Sequence, residues 1–344
     1  MRVPPRAIRR LVVDPLFVPV AAAGAVLGVL VALLGLASVP VDRRLRVSRV
    51  AALAGAYLAA EVVVIVSGFG LWLARPLLRA RWEEVHLRLL RGVLGFVTAA
   101  AGRLVAFRLT VREPPAGTVD CAGRPVLVAS RHAGVGDSFA LVHLLLDRYQ
   151  RTPRVVLLAS LQLDPAIDIL LGRLGACFLR TEGADPTAPA RVHDLATRLT
   201  SHDALVIFPE GANFTARRRR RVIRGLRLRG QSSRAAVAEN LTHVLPPRPA
   251  GVLAALDART VGGTAVVAHT GLDLLVTPGL VWRALPLTAP MELRWWWFPT
   301  PELPPTGTER ADWLTMNWAV VDAWIDSRRP PTPESPGPEP MRGG

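Results

Sequence analysis

Two long apolar stretches near the N-terminus constrain the fold of this chain most. Residues 15–41 carry no charged side chain, and residues 50–74 are interrupted only by Glu61. Each stretch exceeds the roughly 20 residues that a helix needs to cross a bilayer core. A cleaved signal peptide fits poorly, because its apolar region usually has about 7–15 residues and here a second stretch follows. The sequence therefore predicts a membrane-anchoring hairpin of two helices, with a partly embedded, re-entrant or interfacial pair as the alternative.

Arginine surrounds this hairpin and supplies all of the basic charge. The chain has 42 basic residues, none of them lysine, and 27 acidic residues, for a formal net charge of +15. This excess favours anionic partners, and with a hairpin present we expect membrane phospholipids rather than nucleic acid. The arginine distribution slightly favours both ends of the hairpin on the cytoplasmic side, which predicts an inner-membrane protein with a cytoplasmic globular domain.

From residue 105 onwards, short apolar runs alternate with helical patterns. The runs lie at residues 105–111, 126–129, 155–159, 176–179, 204–208 and 265–268, and the helical patterns near 136–150, 165–173, 187–201, 230–241 and 248–257. The alternation predicts an α/β domain with a mostly parallel sheet flanked by helices. Residues 291–298 read as a late strand, predicted to be antiparallel at an edge, and residues 308–328 as an amphipathic helix.

These patterns divide the chain into four parts. Residues 1–78 form the membrane hairpin, and residues 79–104 a linker helix in which arginines alternate with apolar residues at near-helical spacing. That helix is predicted to lie at the membrane surface or to pack as an ordinary surface helix. Residues 105–329 form the α/β domain. Residues 330–344 are rich in proline, glutamate and glycine, which is typical of a disordered tail.

His132 and Asp137 are the candidate residues for proton transfer. They follow a predicted strand, lie on either side of Gly134 and Gly136, and precede a predicted helix. Active-site residues favour the carboxyl ends of parallel strands, and a carboxylate beside a neutral imidazole is a common arrangement for a general base. A histidine that only caps a turn is the alternative, because an acid five residues after a histidine is common by chance.

Three further segments end predicted strands with residues suited to ligand binding. Pro209, Glu210 and Gly211 follow a buried strand, where a carboxylate and exposed N–H groups can bind a polar ligand. Arg180 ends another strand and can bind a phosphate through its guanidinium group. Pro246 lies in a rigid segment that can wall a groove. The alternatives are a plain turn at residues 209–211, a surface salt bridge for Arg180 and an ordinary connection around Pro246.

The order and spacing of these segments resemble the glycerolipid acyltransferase family, which includes 1-acylglycerol-3-phosphate acyltransferases. His132 and Asp137 match its His-x-x-x-x-Asp block, Arg180 its second block, residues 208–211 its Phe-Pro-Glu-Gly block and Pro246 its proline-containing block. Residues 213–215 and 243–249 look most like the lysocardiolipin and lysophosphatidylglycerol acyltransferase branch. The resemblance covers roughly residues 105–268.

The resemblance implies direct acyl transfer from acyl-CoA, or from an acylated carrier protein, to a hydroxyl of a lysophospholipid or glycerol phosphate. His132 would be the general base, Asp137 would orient it, and Glu210, Gly211 and Arg180 would position the acceptor. No cofactor and no metal is implied, and two cysteines cannot build a cysteine-based zinc site. Ser130 and Ser138 flank the first block, but neither lies in a Gly-x-Ser-x-Gly elbow, so no covalent intermediate is predicted.

The chain departs from the family pattern at two positions. Arg131 stands where asparagine is usual, and we predict that it contacts the acceptor and alters the preferred acceptor charge. Ala212 stands where threonine is usual and removes a hydroxyl group. Two alternative functions remain open. The protein could transfer the acyl group to another acceptor, such as a lipid-linked sugar, or it could be a membrane-docking protein without catalytic turnover.

Two surface features remain after these assignments. Arginines 217–221, 224, 227 and 229 form the densest charge cluster, predicted to bind an anionic membrane or else to be a solvated loop. Residues 295–297 are three consecutive tryptophans, predicted to be an interfacial anchor or part of a packed edge strand.

Overall fold

The computed structural model describes residues 3–115, 119, 123–180, 185–273, 275 and 277–329. Its helices are α1 (Arg6–Ile8), α2 (Asp14–Gly35), α3 (Arg46–Leu73), α4 (Arg75–Leu78), α5 (Trp82–Val105), α6 (Val135–Asp147), α7 (Pro165–Arg173), α8 (Ala188–Ala196), α9 (Ala216–Leu228), α10 (Ser232–Asn240), α11 (Pro249–Asp257), α12 (Pro278–Ala284) and α13 (Gly307–Asp326). Its strands are β1 (Leu109–Arg112), β2 (Val126–Ser130), β3 (Thr152–Leu158), β4 (Cys177–Leu179), β5 (Asp203–Ile207), β6 (Gly263–Thr270) and β7 (Met291–Pro299). The predicted tail at 330–344 lies outside the described residues, and the predicted domain boundaries stay predictions.

Small residues let α2 and α3 pack closely as a hairpin. A Cβ atom added to Gly28 would lie 2.8 Å from the carbonyl oxygen of Ala51 and 2.8 Å from the Cα of Gly55. A larger residue would therefore push the two helices apart. On the outer faces of the hairpin, apolar side chains such as Leu34 and Phe69 are exposed.

Among the described residues, three helical segments are long and apolar enough to cross a membrane. They are Arg6–Ser38, Arg46–Leu73 and Arg75–Val105. The first two coincide with the predicted hairpin, and the third contains the segment predicted as a linker helix. These long apolar helices support membrane association.

The hairpin contacts the α/β domain near both ends of α3. At its start, Arg46 donates a hydrogen bond to the carbonyl oxygen of Leu285, over 3.3 Å. Towards its end, the carbonyl oxygen of Gly68 accepts one from Arg173, over 2.7 Å. Glu61, between them, accepts a hydrogen bond from a backbone N–H in the first turn of α7. Glu61 therefore joins the hairpin to the domain, which explains a charged residue within an apolar helix.

The sheet of the α/β domain is mostly parallel, as predicted. The described strands lie in the order β1-β7-β6-β2-β5-β3-β4. The pairs β6–β2, β2–β5, β5–β3 and β3–β4 are parallel, and β7 runs antiparallel to β6. The predicted antiparallel direction of β7 is thus confirmed, but its predicted place at the edge is wrong. β1 pairs with the outer side of β7 and forms that edge instead.

The three tryptophans belong to β7 and pack on both faces of the sheet. Trp296 makes an edge-to-face contact with Trp324 of α13, at 6.4 Å between ring centroids. Trp295 faces the other side and donates a hydrogen bond to the hydroxyl of Tyr149, over 3.1 Å. This alternation is that of a packed strand, so the three residues are not a free interfacial anchor.

Two hydrophobic cores cover the faces of the sheet, and β2 contributes to both. Leu127 and Ala129 pack with α8, α11 and α13, whereas Val126 and Val128 pack with α3, α5, α6 and α7. Burial on both faces explains why β2 appears in the sequence as a continuous apolar run rather than an alternating one. The hairpin helix α3 is part of the second core.

The arginine cluster is a helix, not a loop. Helix α9 begins after Thr215, whose side chain accepts a hydrogen bond from the backbone N–H of Arg218. Arginine has a high helix propensity, and a threonine cap fixes the first turn. Apolar residues of α9 pack on α10 and form a small separate core. Most of its arginine side chains are exposed.

Candidate active site

The candidate residues meet at the carboxyl edge of the sheet, where β2 lies between β5 and β6. His132 follows β2, Glu210 follows β5, and His269 is the penultimate residue of β6. Because these three strands are parallel neighbours, residues that are distant in the chain come together at one edge. The fold therefore brings together the strand ends at which the sequence predicts His132 and Glu210.

His132 is half-buried and held by its backbone. Its N–H donates to the carboxylate of Glu210 over 2.9 Å, and its carbonyl accepts from the N–H of Phe214 over 2.9 Å. Its ring contacts that of Phe208, with centroids 4.5 Å apart, and its Nδ1 lies 3.4 Å from the Oγ of Ser138. Burial lowers the pKa of His132 to about 4, although Asp137 acts in the opposite direction. The imidazole is therefore neutral at neutral pH, which is the state required of a base.

Asp137 lies in the first turn of α6, and one of its oxygens is saturated. Its Oδ2 accepts hydrogen bonds from the N–H groups of Ala133 and Gly134, over 2.8 and 3.0 Å. The same oxygen lies 3.0 Å from Nε2 of His269. The pKa of Asp137 falls to about 2, because the hydrogen bond and charge of His269 outweigh the opposing effect of burial.

The structure corrects the predicted contact between Asp137 and His132. The two side chains share no hydrogen bond, because Asp137 is turned towards His269 and the start of α6. The other oxygen, Oδ1, is buried and has no partner among the described residues. This oxygen is the acceptor that Asp137 retains for a further donor.

Glu210 connects two segments of the site instead of facing an acceptor. One oxygen accepts from the N–H of His132, and the other accepts from the N–H of Leu245 over 2.7 Å. The side chain is completely buried, which raises its pKa to about 7. The predicted contact between Glu210 and the acceptor is therefore replaced by a contact with the chain itself. Glu210 fixes the His132 loop to the proline-containing segment.

Arg131 also lies in the interior, where it cannot contact an acceptor. Its side chain is fully buried, and its terminal nitrogens donate to the carbonyl oxygens of His269 and His243 and to the carboxylate of Asp273. The same carboxylate oxygen also binds Arg329, over 2.9 Å. The prediction that Arg131 contacts the acceptor is thus wrong, because the guanidinium group is used to join β2, β6 and the segment before Leu245.

Pro209 and Gly211 flank Glu210 in the chain, and Pro246 follows Leu245, whose N–H donates to Glu210. The carbonyl oxygen of buried Pro209 accepts from the N–H of Arg248 over 2.8 Å. Gly211 has φ +67, and a Cβ added there would lie 3.3 Å from the guanidinium of Arg248. The turn therefore needs glycine, and the arginine covers it. Pro246 is partly exposed beside Leu245.

Arg180 lies at the same edge of the sheet but at a distance. It follows β4, the strand at the far edge, and is exposed. Three strand spacings separate β4 from β2, which is about 14 Å. Among the described residues, its guanidinium group has no ion-pair or hydrogen-bond partner.

Sequence reasoning missed His269 and Ser138 as contacts of the site. The sequence did contain a signal for His269, because the predicted strand at 265–268 ends directly before this histidine. Ser138 was considered only as a nucleophile, whereas its hydroxyl faces the ring of His132. Among the described residues, no group of three or more His, Cys, Asp or Glu side chains is placed to hold a metal ion.

The carboxyl edge of the sheet thus presents a neutral histidine, a carboxylate with a free oxygen and a distant free arginine. A comparison with known protein families finds a match over this part of the chain. Residues 110–248 match the Acyltransferase family. The matched segment contains each of the sequence-predicted site residues, and it supports an O-acyltransferase.

Comparison with solved structures points to the same fold. The chain is similar to the crystal structure of the 1-acyl-sn-glycerophosphate (LPA) acyltransferase PlsC from Thermotoga maritima, with a TM-score of 0.52 and 12% sequence identity. The similarity covers 80% of this chain and 95% of that one. It shows a shared fold, a mostly parallel sheet flanked by helices. No curated protein sequence matches the chain.

Proposed function

We propose that this protein transfers a fatty acyl group from an acyl thioester, acyl-CoA in the first instance, to a hydroxyl group of a lysophospholipid or glycerol phosphate. The observation that carries the proposal is the neutral imidazole of His132, which lies at the carboxyl edge of an acyltransferase-like sheet beside a buried carboxylate with a free oxygen. The apolar hairpin supports a lipid acceptor, because it would hold the domain against a bilayer. We place the domain on the cytoplasmic side of the inner membrane.

In the proposed reaction, His132 removes the proton of the acceptor hydroxyl while the oxygen of that hydroxyl attacks the carbonyl carbon of the thioester. A carbon–oxygen bond forms, and the tetrahedral intermediate collapses as the carbon–sulfur bond breaks. The imidazolium then returns the proton to the departing thiolate, which leaves as free CoA. The free oxygen of Asp137 stabilises the imidazolium when the ring turns towards it. The histidine ends each cycle neutral.

An acceptor panel tests the proposed function. Purified protein in detergent is supplied with one acyl-CoA and, in separate reactions, lysophosphatidic acid, lysophosphatidylglycerol, lysocardiolipin, glycerol 3-phosphate and a lipid-linked sugar. Mass spectrometry then detects the new ester. We expect a glycerolipid product, with lysophosphatidylglycerol or lysocardiolipin among the best acceptors because of the resemblance at residues 213–215 and 243–249. A product formed only on the sugar would contradict the proposal.

Replacing Arg180 with alanine should raise the KM for the phosphate-bearing acceptor by about 10–100-fold, the equivalent of one charged hydrogen bond of about 1.5–3 kcal/mol. The exposed guanidinium at the end of β4 has no partner among the described residues and is free to bind the phosphate. Slow hydrolysis of acyl-CoA, which needs no acceptor, should change little. Arg198→Ala, an exposed arginine beyond α8, is the control. Equal losses in transfer and hydrolysis would remove the phosphate assignment.

The pH dependence of kcat/KM should show an acid limb near pH 4 instead of pH 6.5, the value of an unperturbed histidine. Only the neutral imidazole accepts a proton, and burial keeps His132 neutral until the pH falls to its lowered pKa. Titration of His132 should therefore cause no loss of activity between about pH 7 and 5, and a change within that range would come from Glu210, whose pKa is about 7. Lysophosphatidylglycerol is the acceptor of choice, because its phosphodiester lacks the second phosphate ionisation near pH 6. A midpoint at about pH 6.5 would show that His132 is not the titrating base.

A further inference from the structure

We propose that His269 is a positioning residue for acyl transfer, which holds Asp137 by one oxygen and keeps the other free for His132. This inference rests on the proposed function and adds to it a residue outside the resemblance-based assignments. His269 is the penultimate residue of β6, more than a hundred residues after the first block. It reaches Asp137 only because β6 pairs with β2.

The proton position on His269 follows from its neighbours. Its Nε2 lies 3.0 Å from Oδ2 of Asp137 and 3.0 Å from the carbonyl oxygen of Arg131. A carboxylate and a carbonyl both accept and cannot donate. The Nε2 atom must therefore carry a hydrogen and donate it, whether the ring is neutral or charged. His269 therefore shares this one hydrogen between Oδ2 of Asp137 and the carbonyl oxygen of Arg131.

Asp137 is consequently saturated on one side only. Three donors surround Oδ2, namely two backbone N–H groups and His269, whereas Oδ1 is buried without a partner among the described residues. A buried acceptor without a donor is costly and is usually explained by function. Because the carboxylate is pinned through Oδ2, Oδ1 keeps its direction. Asp137 raises the pKa of His132 through its charge, so the carboxylate acts on this imidazole, and the proposal assigns Oδ1 as the acceptor of Nδ1–H during the reaction.

His269 is itself held in place by the buried arginine. The backbone carbonyl of His269 accepts from Arg131 over 2.6 Å, and Arg131 is fixed in turn by Asp273. The imidazole is 3% exposed. Arg131 thus binds the backbone of β6 at His269, and the side chain of His269 contacts Asp137. The position of Asp137 therefore depends on both residues. The arginine that departs from the family pattern has this supporting role.

Two variants of His269 separate positioning from packing. His269→Gln keeps an amide N–H near the position of Nε2, whereas His269→Asn is one methylene shorter and withdraws it. We expect the asparagine variant to lower kcat by about 10–100-fold, less than loss of a base, which costs up to about 10⁴-fold. The KM for the acceptor should change less than about threefold, because no substrate contact is removed. The glutamine variant should recover most of the activity. His193→Asn, a surface histidine on α8, is the control.

The pH profile supplies a readout that packing would not move. Loss of the His269 hydrogen bond should raise the pKa of Asp137 from about 2 towards that of His132. A second protonation should then join that of His132 and move the acid limb of kcat/KM to higher pH in the asparagine variant, whereas the glutamine variant keeps the hydrogen bond and the position of the limb. The charged groups that also face this cluster are unchanged in both variants. They are His132, Glu210, Arg131, Asp273 and Arg218.

A double-mutant cycle completes the test. In an Asp137→Asn background, His269→Asn should cause almost no further loss of kcat, because its effect passes through Asp137. Wild-type protein without acyl transfer to any acceptor would reject the proposed function itself. If wild-type protein transfers the acyl group, three results would each reject only the role of His269. They are equal losses of kcat in the Gln and Asn variants, an acid limb that does not move, and additive losses in the double-mutant cycle.

Discussion

Replacing His132 with alanine should lower kcat/KM for acyl transfer by about 10²–10⁴-fold, the contribution of a general base. The imidazole is neutral and half-buried at the carboxyl edge of the sheet. Nε2 of the neighbouring His269 already contacts Asp137 and the carbonyl oxygen of Arg131. Rates are to be measured by mass spectrometry of the ester product, with protein of matched purity and thermal stability. Binding of the acceptor should be little affected.

His202→Ala is the matched control for this prediction. His202 is exposed just before β5, at the opposite end of that strand from Glu210, and should tolerate the change with less than a twofold effect on rate. Full activity of His132→Ala would exclude the proposed mechanism. Equal losses in both variants would point to a general effect on folding.

Replacing Arg131 with leucine should lower the free energy of unfolding by about 3–5 kcal/mol, the usual cost of removing one partner of a buried ion pair. Its guanidinium group is fully buried and binds two carbonyl oxygens and Asp273. Leucine fills part of the volume but leaves these acceptors without their donor. The change should be measured by chemical or thermal denaturation in detergent, together with the KM for the acceptor.

Arg329→Leu provides a comparison on the same carboxylate. Arg329 also binds Asp273, but its side chain is 27% exposed, so water can replace it. We expect a loss of about 1 kcal/mol or less. Similar losses for the two variants would contradict the structural role of Arg131. A stable Arg131→Leu variant with a raised acceptor KM would restore the predicted ligand contact.

The local patterns of the sequence predicted the elements well, because burial and periodicity are local properties. The strand before His132 is buried on both faces and was visible as an uninterrupted apolar run. The glycine turn after it led to the correct edge of the sheet. The arginine-rich helix α9 was missed as a helix, because its charge concealed the three apolar residues that pack on α10.

The partners of the site residues could not be predicted in the same way. Glu210 binds the N–H groups of His132 and Leu245, and Asp137 binds His269, so each contact depends on strand order and register. From the sequence, Arg131 was recognised only as an arginine at a position where the family usually has asparagine. Whether that side chain turned outwards to a ligand or inwards to Asp273 was decided by a residue 142 positions later in the chain.

The proposed function requires His132 to act as the general base while an acyl group passes from a thioester to a glycerolipid hydroxyl. The most direct measurement is mass spectrometry of a reaction that contains purified protein, isotope-labelled acyl-CoA and the best lysophospholipid of the panel. We expect a labelled ester and an equimolar release of free CoA from wild-type protein, and about 10²–10⁴-fold less ester from His132→Ala. Wild-type protein that yields no labelled ester, or a His132→Ala variant that yields it at the wild-type rate, would contradict the account.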